Sequence, residues 1–415
     1  MELPIDLPTT TSLGSASAAL DTIPSYTHQA LDTTKEQIRL IKLRQALPRE
    51  HVNAADAPPP VACDMATFDL DTAPEYIALS YVWGDPDTLQ PILVNNKTMH
   101  IRQNLFDFLC VFRNYDTNGC YLWIDQITID QGCIPERNQQ VQLMSTIYKR
   151  CRFVIAWLGL SSQEVAEAFI SNPCLRITWY LLRNRYFSRV WIVQEVMLPP
   201  EVRMLCGNVC IHWDDLTNVI LPDDQCDVVF KSPKQFLFVR QKQLGRSYTL
   251  EQSIRQFAQM ECQDPRDKVY GMIGILPEHE RPRVDYEKRL PEVYIDVVNR
   301  IEELGQAVSY DAGPSWFPPE LDEDRIGTYQ RFAIHIGVED YTRSQLREYF
   351  EEIFAITSQV HGPRRVQMGF ERADPDAGTP DRWWYEFDDQ KRCYHIYEPP
   401  GPKPRYVHAT IEWKQ

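Results

Sequence analysis

The chain has 415 residues with 58 acidic against 43 basic side chains, a net charge of −15. That length suggests two or three domains, and hydrophobic content of 43% with aromatic content of 11% can build packed cores. The acidic balance repels phosphate backbones, which argues against nucleic acid as a partner.

Residues 1–25 are rich in Thr, Ser, Ala and Pro and read as a loose tail, with 1–35 as the flexible N-terminal segment. The start lacks a basic group followed by an apolar run, so no signal peptide is expected there. No stretch of about 18 apolar residues occurs, so no membrane span is expected. The 11 cysteines are irregularly spaced and odd in number, as in reduced thiols of a cytoplasmic or nuclear protein. Cys206-x3-Cys210 with His212 resembles half a metal site, but no second ligand pair accompanies it, so no metal is expected.

Residues 36–45 form a strand or short helix, and the Pro- and Ala-rich 46–62 a loop. Strands follow at 76–82, 120–125, 152–158 and 201–206. Between them, 101–114 places apolar groups on one helical face, and 136–150 does the same behind Pro135. Leu175–Leu182 and Arg189–Val196 read as short helices. Alternating strands and helices imply an α/β fold with a parallel sheet and helices on both faces, occupying 36–215. Ligands of such sheets sit beyond the carboxyl ends of the strands. Trp83-Gly84-Asp85, Asp125-Gln126 and Leu158-Gly159 leave strands on that rim.

Residues 216–300 read as a mostly helical extension, with Thr249-x-x-Gln252 as a capping box. Residues 301–415 read as a small α+β unit: a strand at Phe332–Val338, a helix at Arg343–Ile356, and strands at 364–371, 382–387, 392–397 and 406–413. Counting 21 acids against 13 bases over 301–415 gives −8, which disfavours RNA binding there too.

Four stretches concentrate polar groups beside apolar runs: Ser80–Asp85, Leu122–Gln131, Glu136-Arg137-x-x-Gln140 and Tyr186–Val196. Each has a structural alternative. Asp125 and Asp130 would cap a following helix, Glu136-Arg137 would be an exposed first turn, and Arg189 would pair with Asp85 or Asp125. Burying several charges on one rim is costly unless they pair or bind something. His100 is the only histidine between 76 and 196, which disfavours a His-assisted nucleophile. No P-loop or GxGxxG phosphate loop is present. Carboxylate chemistry with aromatic support remains.

These segments together carry a resemblance. Tyr76-x-Ala78-Leu79-Ser80-Tyr81-Val82-Trp83-Gly84-Asp85, Leu122-Trp123-Ile124-Asp125-Gln126-Ile127-x-Ile129-Asp130-Gln131, Glu136-Arg137-x-x-Gln140-Val141-x-x-Met144-x-x-Ile147-Tyr148, Trp157-Leu158-Gly159, Arg189-Val190-Trp191-x-x-Gln194-Glu195 and Asp264-Pro265-Arg266-Asp267-Lys268-Val269-Tyr270 occur in order. The series, over about 38–300, closely resembles the fungal heterokaryon incompatibility (HET) domain family and leaves 301–415 uncovered. The resemblance implies a role in non-self recognition and regulated cell death, with self-association or another signalling protein as partner. HET domains are in turn similar to the Toll/interleukin-1 receptor (TIR) domain, a parallel-sheet, flavodoxin-like unit. Some TIR domains cleave NAD with a glutamate four residues after a tryptophan, the spacing of Trp191 and Glu195.

On that resemblance Glu195 is the catalytic candidate. Ser80, Tyr81, Trp83, Gly84, Asp85, Asp125, Gln126, Arg189 and Trp191 are the substrate-binding candidates, and NAD is a consumed substrate rather than a cofactor. Tyr81, Trp83 or Trp191 would stack on a ring, Arg189 would hold a phosphate, and Asp85 and Asp125 would bond ribose hydroxyls. Many family members carry Cys where this chain has Thr128, so a thiol mechanism there is excluded. The alternatives are a non-enzymatic self-associating module, with Glu195 a structural partner of Arg189, and a HET scaffold whose role is set by 301–415.

Overall fold

A computed structural model describes residues 23–44, 60–115, 119–220, 248–311 and 331–338, with strands at 370–373, 380–388 and 393–397. The expected helix at 343–356 and strand at 406–413 lie outside the described residues, as does nearly all of the 1–25 tail. The chain divides into two compact units, 1–246 and 247–415.

The first unit is built on one sheet of nine strands: β1 (Gln37–Leu43), β2 (Ala62–Asp69), β3 (Tyr76–Tyr81), β4 (Leu89–Val94), β5 (Lys97–Arg102), β6 (Tyr121–Trp123), β7 (Val154–Gly159), β8 (Val202–Cys206) and β9 (Val209–His212). Their spatial order is β5-β4-β2-β1-β6-β3-β7-β8-β9. The four expected strands β6, β3, β7 and β8 are mutually parallel and adjacent. The expected parallel sheet is this core; around it the sheet is mixed, with β1 antiparallel to both β2 and β6, β2 parallel to β4, and hairpins closing the two edges. The two edge hairpins follow from local turn chemistry. Asn95 and Asn96, both at positive φ, turn β4 into β5, and Gly207 at φ 55 turns β8 into β9. Two-residue turns of this kind give antiparallel neighbours, whereas parallel neighbours need crossovers.

The crossovers are α1 (Gln103–Phe112), α2 (Asp125–Thr128), α3 (Ile134–Arg150), α4 (Gln163–Ser171), α5 (Leu175–Leu181) and α6 (Ile192–Met197), with α7 (Trp213–Ile220) after β9. Every residue of β3 is buried, as expected for a central strand covered on both faces. Its Ile77, Leu79 and Tyr81 join one apolar cluster with Leu105, Phe108 and Phe112 of α1. The opposite face meets α3: Tyr76 donates to the Ile147 carbonyl at 2.7 Å, and Trp123 meets Tyr148 edge to face. Ser80 therefore points to the α3 side and Tyr81 to the α1 side.

In the second unit, α8 (Leu250–Phe257) starts with the expected capping box, Thr249 and Gln252 each bonding the other's backbone N–H. Then come α9 (Asp267–Tyr270), α10 (Leu290–Asp311) and an antiparallel sheet of β10 (Phe370–Ala373), β11 (Pro380–Asp388) and β12 (Cys393–Tyr397). The strands expected at 382–387 and 392–397 are β11 and β12. The strand expected at Phe332–Val338 is corrected: residues 331–336 are helical. Phe332, Ala333 and Ile336 are its buried side chains, a three-and-four spacing that suits a helix better than alternation.

Candidate functional site

Glu195 lies in the middle of α6 and is 2% exposed. Its carboxylate gathers partners from three other segments. Ser80, one residue from the end of β3, donates its hydroxyl to Oε2 and also bonds the Tyr186 hydroxyl at 2.8 Å. Tyr148 of α3 donates to Oε1 at 3.4 Å. Arg189 places Nη1 3.3 Å from Oε2, with 15% of its side chain exposed. The sequence brings these groups together for simple reasons. Ser80 is on the face of β3 that meets α3. The turn at Arg185–Ser188 swings Tyr186 inward, and the side chain of Asn184 fixes that turn by accepting from the Tyr186 N–H at 2.9 Å. Burial, and next the negative charge of Glu195, push the Tyr148 and Tyr186 hydroxyls above the usual tyrosine range. Both stay protonated as donors.

A second group sits beside the first, where β3 and β6 end. Trp83 donates its indole N–H to Asp125 at 2.8 Å. Burial, followed by the charge of Glu195, raises the Asp125 carboxyl to about 6, while the Trp83 bond and Arg189 pull the other way. Two acids, Glu195 and Asp125, thus share the field of one buried cation, Arg189. Arg102 lies over the Trp83 ring at 5.0 Å and donates to the Gly84 carbonyl at 2.8 Å. Gln126 accepts from the Arg102 backbone N–H at 3.1 Å. The Tyr81 hydroxyl is fully buried beside Asp125, and burial, followed by the Asp125 charge, raises it well above the usual tyrosine range.

The rim itself is latched by Asn104. Its side chain donates to the Val82 carbonyl at 2.6 Å and accepts from the Trp157 indole at 2.9 Å, tying the ends of β3 and β7 to the start of α1. It passes beneath Gly84 and Gly159, both in the left-handed region at φ 82 and φ 88. A side chain at either glycine would be strained there.

Of the candidates named from sequence, Ser80, Arg189 and Glu195 form one bonded cluster, and Trp83 with Asp125 forms the neighbouring pair. Trp191 starts α6, and its carbonyl accepts from the Glu195 N–H at 3.3 Å. Asp85 is exposed and organises its own turn, accepting from the Asp87 N–H and the Thr88 hydroxyl. Arg189 pairs with Glu195, in place of the structural alternative with Asp85 or Asp125. Four contributors were not named as site candidates from sequence: Tyr148, Tyr186, Arg102 and Asn104. Tyr148 reads as an inward residue of α3 and ends the motif that begins at Glu136, but nothing local marks its hydroxyl. Tyr186 stands at the start of the fourth polar stretch, which was the available signal.

Two of the quoted motifs are structural. Glu136 is no exposed first turn: it takes both ends of the Arg39 guanidinium, at 2.6 and 2.9 Å, and the Asp130 N–H at 2.7 Å. Arg39 is 1% exposed and also donates to the Thr128 carbonyl, so the pair joins β1 to the start of α3. Gln140 adds a bond to the Gln37 carbonyl at 2.7 Å. In the second unit Arg266 grips Asp264 at 2.9 and 2.8 Å and reaches the Tyr286 and Lys288 carbonyls, while Tyr286 donates to Asp267 at 2.6 Å. The Asp264–Tyr270 motif is thereby satisfied by the loop at 285–288. Burial pushes the Cys206 thiol up to about 12, which leaves it unreactive.

The model of the family described as "Heterokaryon incompatibility protein (HET)" matches residues 76–176, the stretch from β3 into α5. Heterokaryon incompatibility protein 6, OR allele, of Neurospora crassa is 32% identical over 435 aligned positions, which take in 76% of this chain and 63% of that relative. The chain therefore spans less than two thirds of the relative's length. No solved structure matches it. Among the described residues, no helix is long and apolar enough to cross a membrane. The fold places the matched segment around Ser80, Trp83, Asp125 and Tyr148: residues 76–176 match the heterokaryon incompatibility (HET) family, and the chain is similar to the Neurospora protein over part of that protein's length.

Proposed function

We propose that this chain acts in fungal non-self recognition and the regulated cell death that follows it, and that Glu195 is the group through which it acts. The observation that carries the reading is the convergence of Ser80, Tyr148 and Arg189 on one carboxylate at the rim where ligands of parallel sheets bind. The name of the Neurospora relative points the same way.

On the TIR-like reading the substrate is NAD. Its nicotinamide–ribose bond breaks with the electron pair going to the pyridinium nitrogen, so nicotinamide leaves neutral without a general acid. Water adds at the ribose carbon and gives up a proton, leaving ADP-ribose. A carboxylate near the ribose steadies the oxocarbenium-like transition state. Glu195 fills that role, and Asp125 beside it bonds a ribose hydroxyl. In the described state Arg189 closes over Glu195, so activity requires that ion pair to open. Arg102 already covers one face of the Trp83 ring.

A second reading is favoured by the same closure: Glu195 is ion-paired and 2% exposed, as in a non-enzymatic self-associating module. Overexpression in a fungal host separates the two. The proposal expects Glu195→Gln to fold as wild type does and to lose the death response. A folded Glu195→Gln protein that still kills supports the non-enzymatic module.

A further inference from the structure

α4 and α5 pack side by side and leave an apolar strip open to solvent. Ile170 is 56% exposed, Leu175 51%, Trp179 44% and Tyr180 50%. Leu175, Trp179 and Tyr180 lie on one side of α5, while Thr178 and Leu181 are its buried side. Exposed large apolar side chains gathered within eleven positions differ from the scattered ones any surface carries.

The charges beside the strip are sorted by helix. The exposed side of α4 carries Glu164 and Glu167, and that of α5 carries Arg176, with Arg183 just after it. Among the described residues these four form no ion pair with one another. Glu167 accepts from Gln163 on its own helix, and Arg183 rests over the Tyr180 ring at 5.3 Å. An acidic helix and a basic helix flanking one apolar strip are self-complementary. A two-fold axis through the strip sets each copy's α4 against the other's α5 and pairs both sets of charges at once. Closed two-fold dimers use one patch on both subunits in this way.

We infer that the α4–α5 face is a docking surface for a second copy of this chain, with Trp179 and Leu175 at its centre and the Glu–Arg pairs at its edge. The inference goes beyond the proposed function and does not depend on it, because association is read from mass alone. A chain that dimerises but releases no nicotinamide would retain this inference and lose the catalytic reading.

The test is sedimentation or light scattering of the full chain over a wide concentration range. Wild type should pass from monomer to dimer. Trp179→Ala should weaken the dimer by about thirtyfold, as loss of a central aromatic anchor does. Glu164→Arg with Glu167→Arg should weaken it by about tenfold, and adding Arg176→Glu and Arg183→Glu should restore it, because the sorted charges are then exchanged between helices. Restoration also shows that the reversed chain is folded. A chain that stays monomeric throughout overturns the inference. So does a dimer indifferent to both Trp179→Ala and the charge exchange, since its contact would then lie elsewhere.

Discussion

Replacing Arg189 with methionine removes the one cation that faces Glu195 and Asp125 while keeping an apolar stem of similar reach. Both carboxylates then remain together, Glu195 buried and Asp125 half-buried, with the hydrogen bonds from Ser80 and Tyr148 to Glu195 and from Trp83 and the Gln126 N–H to Asp125 as their remaining support. Breaking a buried ion pair by deleting one partner costs about 3–5 kcal/mol. Partial exposure of Arg189 and the surviving bonds to Glu195 put the expected loss near the lower end, about 3 kcal/mol at neutral pH. Urea denaturation of both proteins at several pH values measures it.

The difference should shrink on acidification, because protons then neutralise the stranded carboxylates. Wild type gives a companion signal. The Asp125 carboxyl is raised from its ordinary 3.8 to about 6, so the folded state holds a proton that the unfolded state has already lost. Its contribution is fully present below about 4 and falls away as pH rises through about 6. The two-unit rise corresponds to no more than about 3 kcal/mol, less what solvent screens at this partly exposed site. An Arg189→Met protein within about 1 kcal/mol of wild type at every pH would refute the reasoning, since the cluster would then not depend on its cation.

Two further outcomes follow from the geometry. Arg39→Met should cost about 3–5 kcal/mol in the same urea measurement, because Glu136 is left buried with one backbone N–H as partner; a loss under about 1 kcal/mol would mean that the pair does not hold β1 to α3. Asn104→Ala removes the side-chain bonds to the Val82 carbonyl and the Trp157 indole, while the indole keeps the Asn104 backbone carbonyl at 3.1 Å, and should cost about 1–2 kcal/mol, again read from urea midpoints; no change would show that the ends of β3 and β7 are held without it.

The central parallel strands were legible because they are apolar runs bounded by polar rims, with helical periodicity between them. The segments that reverse direction were not. β4 and β5 carry mixed residues at the sheet edge, where half the side chains meet solvent and the apolar signal thins. The Asn95-Asn96 turn was the readable clue. β2 is exposed along much of its length and gave no alternation strong enough to mark it.

At the site, the polar rim residues could be listed from sequence, yet their pairing could not. Arg189 had three carboxylates within plausible reach, and only the fold selects Glu195. Glu136 looked like a solvated first turn because its partner, Arg39, stands 97 positions earlier on a strand whose other residues are mostly apolar. As site residues Tyr148 and Asn104 escaped notice for a related reason: each looks like an ordinary helix residue, and its role comes from what the sheet brings opposite it.

The most direct test of Glu195 as the working group is nicotinamide release from NAD by the purified chain. Wild type should be followed both as monomer and in any assembled form, beside Glu195→Gln. Release by wild type that falls to background in Glu195→Gln, with both proteins equally folded, is the predicted result. Equal rates for the two would contradict it and leave Glu195 as a structural partner of Arg189.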